Sequence, residues 1–191
     1  LIASGAAQLP PIDECGGDEG FAEFRAELRQ VVKRKDRDRL LEMIADDVLV
    51  SFGGYYGKTD FIDFWKLDSP EPSELWHELG EALRYGCAVE GEQKAIPSFG
   101  KQVGGDRDVF ETLIALPGSA LRQRPDDGSE AVSKLEWDVL TVRRPWDGGD
   151  WVAVSLDDGR SGFIRRSQAR SPIDYRAGFQ KIGDRWVIGS F

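Results

Sequence analysis

A chain of 191 residues with 34 acidic against 25 basic side chains, net −9 at pH 7, is long enough for one domain or two small ones and repels phosphate, which argues against nucleic acid as a partner. At 40% hydrophobic and 31% charged residues the composition is that of an ordinary soluble protein, and its apolar runs fall far short of the roughly 18 residues a membrane-spanning helix needs. Two cysteines and one histidine are too few for a zinc or Cys-His site, so no metal and no cofactor is expected.

The first residues, Leu1-Ile2-Ala3-Ser4-Gly5-Ala6-Ala7, read either as the end of a secretory signal close to its cleavage site or as an arbitrary starting point. Cys15 and Cys87 flank the helical stretch that follows. They form either a disulfide closing a loop of about 72 residues, worth roughly 4 kcal/mol by chain entropy, or two buried thiols. The disulfide is the expected state, and with it a bacterial periplasmic or secreted location.

Asp18 is a good N-cap for an amphipathic helix whose stripe is Phe21, Phe24, Leu28, Val31 and Val32, with Lys33-Arg34-Lys35 where the helix dipole favours cations. Leu40, Leu41 and Ile44 mark a second short helix, and residues 48–52 a strand closed by Gly53-Gly54. Thr59 is expected to cap a third helix carrying Phe61, Ile62, Phe64 and Trp65. Ser73 is expected to cap a fourth carrying Leu75, Trp76, Leu79 and Leu83, stopped by Gly86. From Cys87 to Gly105 the chain is polar, glycine-rich and broken by Pro97, and reads as a loop or linker. Residues 109–116 then alternate as a strand.

From Gly118 onwards five short runs are each bounded by Gly, Pro or Asp, the spacing of a small barrel or sandwich. In order they include Ala120-Leu121-Arg122-Gln123-Arg124-Pro125, Gly149-Asp150-Trp151-Val152-Ala153-Val154 and Gly159-Arg160-Ser161-Gly162-Phe163-Ile164. In that order they resemble the bacterial SH3-like domain family over residues 118–166, with Phe163 where the family commonly has Trp and Trp137-Asp138 where a glycine is common. Past Pro172, Gly183-Asp184 between two alternating apolar runs is a two-residue hairpin signal. The opening helices and strand, joined by this hairpin, resemble the cone-shaped nuclear-transport-factor-like α+β proteins, on which reading the barrel is an insertion. The alternative is a simpler helical domain with the hairpin packed on it.

The expected fold is therefore α+β: a mainly helical domain over residues 1–105, an SH3-like β-barrel over 106–172, and a C-terminal β-hairpin over 173–191 that packs on or completes the first domain. Acidity is concentrated in residues 1–105, with 20 acidic and 12 basic side chains. Arg165, Arg166 and Arg170 form either an anion contact or a solvated edge. No phosphate loop or nucleophile elbow occurs, His77 reads as a surface residue, and the paired carboxylates (Asp46-Asp47, Asp60 and Asp63, Asp126-Asp127, Asp157-Asp158) read as turn and cap residues. No catalytic residue is assigned, and a non-enzymatic role is favoured.

What the SH3-like resemblance implies is a platform for a peptide, such as a cell-wall peptide of peptidoglycan, or for a partner protein. Its candidate residues are the rings Trp137, Trp146, Trp151 and Phe163, with Arg124 and Asp157 as polar rim. Trp151 and Phe163 are equally candidates for the barrel core, and Trp146, between Pro145 and Asp147, is the ring expected to be exposed. Two other readings stay open: a small-molecule binder or enzyme with a pocket by Trp65 and Trp76, and an assembly protein whose barrel dimerises.

Overall fold

The computed structural model describes residues 6–50, 54–104, 107–143, 145 and 148–191. Helix α1 spans Glu19–Arg34, where the Asp18 carboxylate accepts from the Phe21 N–H and Lys35 closes the helix in the left-handed conformation. Helix α2 is Arg37–Glu42, capped by Asp36. Strand β1, Ile44–Leu49, starts earlier than expected, and Ile44 belongs to it and not to the preceding helix. Helix α3, Gly57–Phe64, begins two residues before Thr59, so Thr59 is not its cap. Instead the Asp60 carboxylate accepts from the Tyr56 N–H at 2.9 Å. Helix α4 is Leu75–Ala82, and the Ser73 hydroxyl accepts from the Leu75 N–H at its start.

The stretch read as a linker is structured. It holds β2 (Ala88–Glu90), β3 (Gln93–Ile96) and the short α5 (Phe99–Gln102). Strands β4 (Thr112–Ala115), β5 (Ser119–Arg122), β6 (Ala131–Leu135), β7 (Val139–Val142), β8 (Trp151–Ser155), β9 (Ser161–Arg165), β10 (Ala169–Arg170), β11 (Ala177–Ile182) and β12 (Arg185–Ser190) complete the chain.

These elements form an α+β protein of two compact units, residues 11–98 with 175–191, and residues 1–10 with 99–174. The first, here the α/β unit, is built from two separated chain segments, and residues 99–174 fall between them in sequence. It is less helical than expected, because its helices accompany a five-stranded sheet in the order β1-β12-β11-β3-β2. The terminal hairpin is central to that sheet: β12 runs parallel to β1, β11 pairs with β3, and the turn at Gly183 takes φ +62°. Its core buries Phe21, Leu28, Phe61, Trp65, Leu79, Phe179 and Trp186, and the Phe21 ring meets Phe179 and Trp186 edge-on at 5.2 and 5.0 Å.

Cys15 and Cys87 are bonded, with Cα atoms 5.8 Å apart, and both are buried. The bridge lies beside backbone pairing, since the Cys87 N–H donates to the Ile12 carbonyl and the Cys87 carbonyl accepts from the Glu14 N–H. This close passage requires Gly86, at φ +68°, where a Cβ would stand 2.0 Å from the Ile12 oxygen.

The second unit, the β unit, is an antiparallel sheet of seven strands in the order β10-β4-β7-β8-β9-β5-β6. All five expected strands form, joined by β4 and β10, but the sheet is open: no closed barrel is present among the described residues. Leu121, Leu140, Val152, Val154 and Ile164 fill its core. Among the described residues no helix is long and apolar enough to cross a membrane.

Candidate functional site

The β8–β9 hairpin sorts its side chains by the two-residue period of a strand. Val152, Val154 and Ile164 are fully buried, whereas Trp151, Ala153, Phe163 and Arg165 are half-exposed on the opposite face. Trp151 and Phe163 are thus not core residues. The register pairs Trp151 with Arg165 and Ala153 with Phe163, so Trp151 and Phe163 occupy diagonal positions, roughly 7–8 Å apart in ordinary sheet geometry, with the small Ala153 directly opposite Phe163.

Arg165 fixes one end of this face. Its guanidinium lies 4.9 Å from the centre of the Trp151 ring and pairs with the Asp127 carboxylate. The charge-assisted hydrogen bond holds the Asp127 carboxyl below its ordinary value and raises Arg165. On the neighbouring strand Arg122 is paired with Phe163, and its guanidinium donates to the Ser129 carbonyl at 2.6 Å. Strand β5 can approach β9 there because residue 162 has no side chain: a Cβ on Gly162 would stand 2.5 Å from the Arg122 oxygen. Gly162→Ala is expected to destabilise the β unit by about 2 kcal/mol and to part β5 from β9. Thermal unfolding of the variant checks this; an unchanged melting temperature would show that the two strands separate without cost.

The other expected site residues are placed differently. Arg124 is exposed just past β5, where its backbone N–H donates to the Ser129 hydroxyl. Asp157 lies in the β8–β9 turn, beyond the far end of β8 from Trp151, and pairs with Arg107. A five-residue strand spans ~17 Å, so Asp157 is not a rim to the Trp151 end of the platform. Trp137 sits in the β6–β7 connection at φ +60°, with its ring 6.1 Å from Phe99 and not on the β8–β9 hairpin. Trp146 lies outside the described residues.

Arg122 and Asp127 carry no site reading from sequence, and Arg165 is read there only with Arg166 and Arg170, as an anion contact or a solvated edge, and not with the rings. Parity was the available signal for Arg165, since extending β9 one residue past Ile164 puts it on the same side as Phe163 and opposite Trp151.

The carboxylate pairs offer little chemistry. Asp46, Asp47, Asp126, Asp127, Asp157 and Asp158 are all exposed, and Asp46 is occupied by Lys58 at 2.8 Å. Asp138 is buried, but its carboxylate accepts from the Glu136 N–H at 2.7 Å. Asp13 lies close to Cys15 and Cys87, whose sulfurs are bonded to each other and offer no thiolate to a metal. Comparison with protein-family models, with curated proteins and with solved structures finds no match to this chain.

Proposed function

We propose that this chain is an exported, non-enzymatic binding protein that holds a short extended peptide, such as a cell-wall stem peptide, across Trp151 and Phe163. The observation that carries the reading is the pair of half-exposed rings on a rigid antiparallel hairpin, with Arg165 stacked at one end. Alternate side chains of an extended peptide recur every ~6.6–6.8 Å, close to the diagonal spacing of the two strand positions that carry the rings, so successive same-side groups can each meet one ring. Arg122, whose guanidinium donates only to a backbone carbonyl among the described residues, supplies positive charge for a carboxylate of the ligand, with Arg165 shared between Asp127 and that group, which gives the peptide a direction.

Two further features support it. The motifs that carry the SH3-like resemblance fall on β5, β8 and β9, in an open sheet, and the helices followed by a sheet completed at the C-terminus are in keeping with the nuclear-transport-factor-like resemblance. A buried disulfide suits an oxidising compartment such as the periplasm or the exterior.

Trp151→Ala is expected to weaken the peptide about tenfold or more while leaving the fold intact, since the ring is outside the core. Fluorescence titration with synthetic stem peptides, together with co-sedimentation with purified cell-wall sacculi, measures this. Absence of both retention and a fluorescence change in the wild-type protein would overturn the cell-wall version. Equal affinity in Trp151→Ala would overturn the site.

A further inference from the structure

The α/β unit carries a separate depression of about 910 Å³, lined by the C-terminal half of α1, by α4 and by residues 72–74. Its floor is apolar: Val32, Leu83, the half-buried Trp76 and Gly80, whose missing side chain would come within 3.6 Å of Val32. Its rim carries more basic than acidic side chains, with Glu74 and Glu81 as its carboxylates. Of the basic side chains, Arg29, Lys33 and Lys35 come from α1 and its cap, and Arg84 from the turn after α4. Arg84 is matched by Glu81 at 2.8 Å. Among the described residues no salt bridge engages Arg29, Lys33 or Lys35; Arg29 donates only to the Leu83 carbonyl, at 3.1 Å. Burial and the neighbouring Arg25 lower the Arg29 guanidinium from its ordinary value, an effect that Asp13 offsets only in part. Unmatched cations around an aromatic floor run against the net charge of −9 of the chain.

Shape selects the class of ligand. Sites for compact small molecules are enclosed and mostly apolar. This depression is an open trough with a charged rim, running along a helix of eight residues, ~12 Å, which matches about four residues of extended chain. It continues past Pro72, Ser73 and Trp76 into a second depression of about 170 Å³, where Lys66 adds a further positive charge beside Glu71, and Arg37 is already matched by Asp38 and Asp68.

We propose that the trough between α1 and α4 binds an acidic peptide segment of a partner, with apolar side chains over Trp76 and Gly80 and carboxylates on Arg29, Lys33 and Lys35. Complementary charge at the rim sets selectivity and approach, and the ring provides the anchor. This site is independent of the Trp151 face and does not rest on it.

Isothermal titration of the full chain with ten-residue synthetic peptides that alternate Leu with Glu, Gln or Lys tests the proposal, with laurate as a small anionic amphiphile beside them. The Glu-Leu peptide is expected to saturate one site, the Lys-Leu peptide not to bind, and raising salt from ~0.05 to ~0.5 M to weaken the wild-type complex. Lys33→Gln combined with Lys35→Asn removes two exposed charges, with Asn suited to the left-handed backbone at residue 35, and is expected to cost about tenfold in affinity with only a small drop in melting temperature from the lost helix-dipole charges. Trp151→Ala is expected to leave this affinity as it is, which separates the two sites. Absence of saturation, equal binding of the Lys-Leu peptide, salt-independent affinity, undiminished binding by the double variant, or binding of laurate in place of the peptide would each overturn the proposal.

Discussion

Replacing both Cys15 and Cys87 by alanine lowers the unfolding free energy of the α/β unit by about 4 kcal/mol, the loop-closure entropy that a bridge across a 72-residue separation removes from the unfolded chain. Both side chains are buried at the join between the segment before α1 and the start of β2, so two small voids add to the loss. The native backbone pairing of Ile12 and Glu14 with Cys87 does not depend on the sulfur atoms, and the variant is expected to fold in the same arrangement. Urea denaturation followed by tryptophan fluorescence measures the effect. The unbridged chain should show a lower midpoint and also a larger m-value, because its unfolded state expands and exposes more surface. A midpoint lowered at constant m would place the stabilisation in native contacts instead, and an unchanged midpoint would refute it. Domain stabilities are commonly ~5–15 kcal/mol, so the loss is a large fraction of the whole.

The parts of the fold legible in the sequence are those whose signals are local. Helix α1 declares itself by the Asp18 cap, the spacing of Phe21, Leu28, Val31 and Val32, and the basic last turn, all within one segment. The strands of the β unit are legible because turn residues punctuate alternating runs, as Asp157-Asp158-Gly159 does between β8 and β9. Strands β2 and β3 were hidden. They are three and four residues long, and the inward positions of β3 are Lys94 and Ile96, so a charged residue breaks the expected apolar alternation. What makes β3 a strand is pairing with β11, more than eighty residues later, which no local pattern announces. Ile44 was drawn into a helix by its spacing from Leu40, whereas its partner is Ile188 on a parallel neighbour at the other end of the chain. The candidate site divides in the same way. Parity assigned Trp151 and Ala153 to one face, but which face meets the core depends on the whole sheet. Asp157 looked close to the rings in sequence, and the hairpin geometry puts it at the opposite end.

Lys94 is also where the second large effect is expected. Its ammonium is buried, 4.4 Å from the centre of the Trp186 ring and 5.1 Å from that of Phe21, with its charge met by Asp18 at 2.9 Å. Ring faces attract a cation but do not replace a carboxylate. Asp18 has a second task, accepting from the Phe21 N–H at the start of α1. Asp18→Ala therefore removes a helix cap and strands a buried charge, and is expected to cost about 3–4 kcal/mol. Lys94→Met keeps the length of the side chain and the cap and leaves Asp18, which is partly open to water, as the unpaired member; it is expected to cost less than half as much. Hydrogen bonds from Lys94 and from the Phe21 N–H, in that order, hold the Asp18 carboxyl below its ordinary 3.8, with Lys181 adding a further positive field. Because the folded value lies below the unfolded one, this stabilisation is complete above about pH 4 and is lost as pH falls through the folded value. The difference between wild type and Asp18→Asn should thus be constant from pH 5 to 7 and shrink below pH 4. Urea unfolding of wild type, Asp18→Ala, Asp18→Asn and Lys94→Met across that range reads out both the order of the costs and the pH at which they converge. Equal losses for Asp18→Ala and Lys94→Met at pH 7 would mean that the buried ammonium is solvated without its partner, and would refute the asymmetry.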